Sequence, residues 1–290
     1  MVMIISASRR TDIPAFYSLW FEHRIKAGFC QVRNPFNASQ LRHVSLEPQV
    51  VDAFVFWTRN AHKFIPTVNS LIQSGYQAFF LYTLTGYGPP LEKFLAPTET
   101  LIETFCRLSG LIGSERIAWR YDPILIADES PFTWRDHARR FRQLAQNLEG
   151  ATHRVIISFT DWYAKTQQHL GAFPWSWHLE PDKQTAEKFL QWIIECAESH
   201  GMTIHLCAKP GFETVQRGKC IDAEWINQAT GKSIRIKRDK GQRPSCLCDE
   251  SIDIGCYNTC GHGCQYCYAT RSHSRARYYR RQHDPEQSFL

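Results

Sequence analysis

The stretch DIGCYNTCGHGCQYCYATR, residues 253–271, concentrates the side chains best suited to chemistry. It carries Cys260, Cys264 and Cys267 in a C-x3-C-x2-C spacing. Cysteine thiolates are the ligands of iron–sulfur clusters. Three local thiolates hold three irons of a [4Fe–4S] cubane and leave the fourth iron open to an exchangeable chelate. Gly261 and Gly263 permit the tight loop that such a site needs. Zinc is the competing reading, but structural zinc sites more often join two C-x2-C pairs into four ligands. His262 could supply a fourth ligand here. It lies two residues from a cysteine on either side, which strains a mononuclear site. The spacing therefore favours the cubane.

The chain has 11 cysteines, and seven of them lie from Cys220 to Cys267. Cys207, Cys220, Cys246 and Cys248 form a second set. Four thiolates can complete a second [4Fe–4S] cluster or a zinc site. They bracket a Gly- and Lys-rich segment that lacks an apolar core of its own, so a metal is the expected organiser. Cys30, Cys106, Cys196 and Cys256 fall on apolar or strand-like segments and read as packing residues.

Short β-type runs positioned before these loops alternate with longer helical patterns. Strands are expected at Met3–Ser6, Cys30–Arg33, Ala53–Trp57, Ala78–Tyr82, Ile117–Tyr121, Val155–Phe159, Thr203–Cys207 and Ile252–Cys256. Runs such as VIISF and AFFLY are continuously apolar, which suits parallel strands buried on both faces. Between them, Ala186, Phe189, Leu190, Ile193, Ile194 and Ala197 build one helical stripe, and Trp134 to Leu148 builds another. Further helices are expected over Ala15–Ala27, Lys63–Ser74 and Glu99–Leu111. Eight strands alternating with helices predict a TIM-like (β/α)8 barrel, with an open doubly wound sheet as the alternative. Residues 1–207 would form its main body and 208–251 an irregular Cys-rich metal-binding insertion. Residues 252–290 would hold the last strand, the cysteine loop and a basic tail.

Barrel enzymes carry their chemistry on the loops that leave the carboxyl ends of the strands. Here those loops read SRRTD, RNPFN, TRN, TLTGYG, RYDP, TDWY and KPG. Arg10, Arg33, Arg59 and Arg120 recur in them, and arginine suits bidentate binding of carboxylate or phosphate. Arg10, Thr11, Asp12, Arg33, Arg120 and Asp122 are candidates for gripping a cofactor or substrate. Thr11 or Asp12 can also cap a helix before Pro14, and Asp122 can be a turn residue before Pro123.

The chain has 290 residues, 43% of them hydrophobic, enough for a large core. Its formal charge of +6 permits an anionic partner without requiring one. Basic residues gather from Lys232 to Arg243 and from Arg271 to Arg281. The opening MVMIISASRRTDIP lacks the basic and apolar pattern of a signal peptide, and no run approaches membrane-spanning length. A cytoplasmic protein is expected, where clustered cysteines ligate metal in preference to forming disulfides.

The C-x3-C-x2-C loop with Tyr266, Tyr268 and Ala269 resembles the radical S-adenosylmethionine superfamily. The wording CGHGCQYCYA is most similar to its branch of spore photoproduct lyase relatives. The whole chain also resembles a bacterial family grouped as a domain of unknown function. The likeness runs through SASRRTDIPAFY, RNPFN, VFWTRN, TLTGYG and WRYDP to the cysteine motifs. The resemblance implies an enzyme with a [4Fe–4S] cluster on Cys260, Cys264 and Cys267, S-adenosylmethionine on the open iron, and Tyr266 beside the adenine. It also implies an electron donor such as flavodoxin or ferredoxin. The superfamily usually carries its cysteine loop after the first strand, whereas here it follows the last. This implies a circularly permuted barrel, in which Met3–Ser6 takes the second strand position. The superfamily's Gly-Gly-Glu amine-binding stretch is absent, so Thr11 or Asp12 would stand in for it. The alternative is a non-enzymatic nucleic-acid-binding protein stapled by metal, with Arg271 to Arg281, Tyr278 and Tyr279 on phosphates and bases. A radical enzyme acting on DNA or RNA would join both readings.

Overall fold

The computed structural model describes residues 3–34 and 37–290; Pro35 and Phe36 of the RNPFN stretch lie outside them. The strands are Met3–Ala7 (β1), Phe29–Asn34 (β2), Asn37–Ser45 (β3), Val51–Thr58 (β4), Ala78–Thr83 (β5), Ile117–Ile124 (β6), Arg154–Phe159 (β7), Thr203–Cys207 (β8), Arg217–Gly218 (β9) and Ile252–Asp253 (β10). The helices are Ile13–Phe16 (α1), Ser18–Ala27 (α2), Ile65–Gln73 (α3), Thr98–Ile112 (α4), Trp134–Leu148 (α5), Ala164–Leu170 (α6), Lys183–Glu198 (α7), Ala223–Thr230 (α8) and His273–Gln282 (α9).

Eight strands form one parallel sheet in the order β10-β1-β4-β5-β6-β7-β8-β9, curled into a half-barrel. The last strand, β10, pairs with the first, β1, through Ile5 opposite Ile252 and Ser6 opposite Asp253. The cysteine loop thus leaves the neighbour of the amino-terminal strand. The ladder does not close into the expected complete barrel: β9 and β10 are its two edges.

The apolar runs explain the strands. β4 and β5 are buried along nearly their whole length because both faces are covered. On the outer face, Phe54, Phe56, Phe80, Trp119, Tyr121 and Ile157 join a core completed by helix residues such as Phe105, Phe141 and Ile193. α5 starts with a capping box between Thr133 and Asp136. On the inner face, Ile4, Ala53, Val55, Phe79, Leu81, Ala118 and Ile156 pack against Ile221, Ala223, Trp225 and Ile226.

That inner packing corrects the reading of 208–251 as irregular. The segment contains β9 and α8, and α8 plugs the amino-terminal end of the half-barrel. Trp225 Nε1 donates to Glu115 O at 2.7 Å, Lys232 Nζ to Asp52 O at 2.8 Å, and Arg154 pairs with Asp222 at 2.6 Å. A second correction concerns Cys30–Arg33. This strand, β2, pairs only with β3 in a separate antiparallel sheet. Its half-exposed, alternating residues lack the two-sided burial of the parallel strands. The eighth strand of the main sheet is instead the two-residue β9. Cys106 is exposed on α4, so it does not pack as expected. Among the described residues no helix is long and apolar enough to cross a membrane.

Candidate metal centre at the carboxyl ends of the strands

Ser6 and Asp253 lie at the carboxyl ends of β1 and β10, and the loops leaving those ends fold over each other. Asp253 ties them together. Its carboxylate accepts from Ser6 Oγ at 2.9 Å, Ser8 Oγ at 2.7 Å, Arg9 N at 2.9 Å and Gly255 N at 3.0 Å, and pairs with Arg10 Nε at 3.0 Å. Burial pushes its pKa up, but Arg10, the Arg9 N–H and Ser8 outweigh that and hold it below the ordinary carboxylate value. Gly255 is required here, since a Cβ at that position would meet Ser8 Oγ at 1.9 Å.

Asp12 performs the same service one strand over. It caps α1 by accepting from Ala15 N at 2.9 Å, and it accepts from Thr58 Oγ1 at 2.8 Å and Arg59 N at 2.7 Å. Its fourth partner is His262 Nε2, at 2.7 Å, inside the cysteine loop. Asp12 therefore serves as a helix cap and as the anchor of that loop. Thr11 is buried beside it, with its hydroxyl bonded to Thr259.

The other flank of the loop rests on residues 88–95. Phe94 N donates to His262 O at 3.1 Å, Gln265 N donates to Leu91 O at 2.9 Å, and Glu92 and Cys264 form an antiparallel bridge. Glu92, which the sequence motifs did not flag, gathers Arg59, Thr85 and Tyr266 around its buried carboxylate. Tyr266 is consequently buried, with its hydroxyl committed to Glu92 and Arg59. Gly263 lies at φ +74°, and a Cβ there would meet the Phe94 ring at 2.6 Å.

Within this frame Cys260, Cys264 and Cys267 lie on one loop, with Cys264 buried and the other two partly exposed. Burial pushes the Cys264 thiol up to about 12, against the opposing pull of Arg59, and burial also raises Cys260. Such thiols ionise when a cation compensates the buried charge. The donor set, three thiols of one tight loop with Cys264 and Cys267 against an apolar cluster that includes Tyr87, Leu91 and Leu170, fits a cluster of the expected kind. Among the described residues no three or more His, Cys, Asp or Glu side chains already stand arrayed around a single ion position.

Cys207, Cys220, Cys246 and Cys248 also converge. Cys207 Sγ lies 3.6 Å from Cys220 Sγ, and Cys220, Cys246 and Cys248 are buried in one cluster. Between the two thiol groups lies a polar layer on the inner face of the sheet. Arg120 pairs with Asp122, donates to Thr83 Oγ1 at 3.2 Å and stacks 4.7 Å from the Trp57 ring. Asp122 also accepts from Ser158. Arg10 leans on Tyr257 at 5.5 Å. Arg33 is the exception among the predicted residues: it lies on the β2–β3 hairpin, 4.3 Å from the Phe289 ring. Sequence reasoning missed Asp253 and Glu92, because nothing local marks a carboxylate whose partners lie far along the chain.

A comparison with the curated proteins finds no significant match. Among solved structures, mannonate dehydratase from Streptococcus suis serotype 2 is similar at a TM-score of 0.30 and 12% identity, over 57% of this chain. The chain spans 56% of that protein, and a likeness of this size carries no argument. Residues 4–269 match the family described as Domain of unknown function (DUF1848), and the chain belongs to that family.

Proposed function

We propose that Cys260, Cys264 and Cys267 hold a [4Fe–4S] cluster and that the protein is a radical S-adenosylmethionine enzyme. The observation that supports this reading is the placement of the three cysteines on one tight loop that leaves β10 beside β1 and is pinned through His262 to Asp12 and through Tyr266 to Glu92. When bound, the cluster supplies one electron to S-adenosylmethionine, whose cleavage gives methionine and a 5′-deoxyadenosyl radical that takes hydrogen from a substrate.

The chain's own residues do the positioning. Asp12 holds His262, and through it the cysteine loop, against β4. Asp253 holds Arg9 and Arg10 over the mouth. Arg120 keeps a buried Nε–H without a partner, a donor available to a carboxylate or phosphate. Tyr266 has committed its hydroxyl, so its ring is what remains to flank an adenine. The reading requires an external one-electron donor of the flavodoxin or ferredoxin kind.

Anaerobic reconstitution tests it. About four irons and four sulfides are expected at this site, with 5′-deoxyadenosine formed under dithionite. Cys264→Ala should remove both. Zinc without sulfide on these three cysteines would refute the proposal. A nucleic-acid substrate is the variant favoured by α9, where Tyr278 and Tyr279 are 60% and 51% exposed beside Arg275 and Arg281.

A further inference from the structure

The two ends of the curled sheet, β9 and β10, are not paired, and the second cysteine set lies at the seam between them. Cys207 ends β8, Cys220 sits two residues beyond β9, and Cys246 and Cys248 precede β10. Cys220, Cys246 and Cys248 are buried within the inner core, and Cys207 packs at its edge.

We infer that Cys207, Cys220, Cys246 and Cys248 form a mononuclear tetrathiolate zinc site that staples the seam of the half-barrel. Spacing decides against a second cubane. With Zn–S bonds of about 2.3 Å, the sulfurs of a tetrahedral site lie ~3.8 Å apart. The Sγ atoms of Cys207 and Cys220 are 3.6 Å apart. A cubane gives each thiolate its own iron and spreads the sulfurs much farther. Cys220, Cys246 and Cys248 already share one buried cluster, with Cys207 packed at its edge and its Sγ against Cys220.

The surroundings match a ligated anion. Ile221 N donates to Cys248 Sγ at 3.4 Å, and the Cys248 N–H points at Cys246 Sγ. Zinc with four thiolates carries a net charge of −2. Arg9, on the loop after β1, brings a positive charge near the set, and its buried Nε–H has no partner. Four protein ligands leave no open position, so the role is structural. None of this depends on the radical reading of the other site.

The test uses the full chain with Cys260, Cys264 and Cys267 all changed to Ala, expressed with both iron and zinc available. The expected result is about one zinc per chain, neither iron nor sulfide, and X-ray absorption showing four sulfurs at ~2.3 Å. Iron with sulfide in this variant would overturn the inference, as would zinc bound through nitrogen or oxygen, or no metal. The same absorption edge measured on the unaltered protein keeps the question decidable if the triple variant does not fold. In Cys246→Ser, zinc should be lost or show three sulfurs; four remaining sulfurs would exclude Cys246. Failure of 5′-deoxyadenosine formation with zinc intact would count against the radical proposal alone.

Discussion

Asp12 offers the sharpest test of how the cysteine loop is held. Its carboxylate is 5% exposed and accepts four hydrogen bonds from β4, α1 and the loop. Asp12→Ala removes all four. The lost helix cap costs about 1 kcal/mol. The orphaned Arg59 N–H and His262 ring nitrogen cost about 1–3 kcal/mol each. The total is roughly 3–7 kcal/mol, which at about 2 °C per kcal/mol lowers Tm by about 6–14 °C. Asp12→Asn keeps the acceptor toward Ala15 and Thr58. It turns an NH2 toward Arg59 N and His262, and His262 can accept from it by changing tautomer. Only the Arg59 N–H is then orphaned, so the cost falls to about 1–3 kcal/mol. Thermal unfolding gives the ranking, and hydrogen exchange of the amides from Cys260 to Cys267 gives the location. Two small and equal losses, or exchange that accelerates elsewhere but not in the loop, would refute the reasoning.

Trp225→Ala should destabilise by about 3–5 kcal/mol, because a buried indole packed 4.9 Å from Phe79 leaves a cavity under the sheet; urea unfolding measures this. His137 is fully buried between Tyr121 Oη at 2.8 Å and Leu125 O at 2.7 Å, and burial with the nearby Arg140 charge depresses its pKa to about 3. The unfolded chain binds that proton near pH 6.5, so this contribution is complete above pH 6.5 and declines toward pH 3, by roughly 4 kcal/mol. Replacing it with Gln should flatten the acid side of a stability–pH profile. If α9 meets nucleic acid, Arg275→Ala with Arg281→Ala should lower the slope of log K against log salt by about 2, as measured by fluorescence anisotropy.

The parallel strands were legible because two-sided burial leaves continuous apolar runs; Thr203–Cys207 and Trp134–Leu148 have the bounds their patterns indicated. The hairpin was misassigned for the converse reason. FCQVRN has enough β-type residues to be a strand, and local sequence does not say which sheet receives it. β9 and α8 were hidden in a segment whose glycines and charges masked Ile221, Trp225 and Ile226, the few residues that dock it. The cysteine motif announced its own loop. What holds that loop was not readable, since Asp12 is 250 positions from His262 and Glu92 is 174 from Tyr266.

The pairing of β1 with β10 has a consequence for synthesis. β1 leaves the ribosome well before β10, and β4 soon covers one of its sides. The other side waits for Ile252 and Asp253. At about 5–20 residues per second, that edge stays uncovered for on the order of ten to fifty seconds. Throughout that time the nascent chain presents bare backbone donors and acceptors beside Ile4 and Ile5. The interval falls within the reach of chaperones that bind growing chains, and the half-barrel is completed only when β10 has emerged.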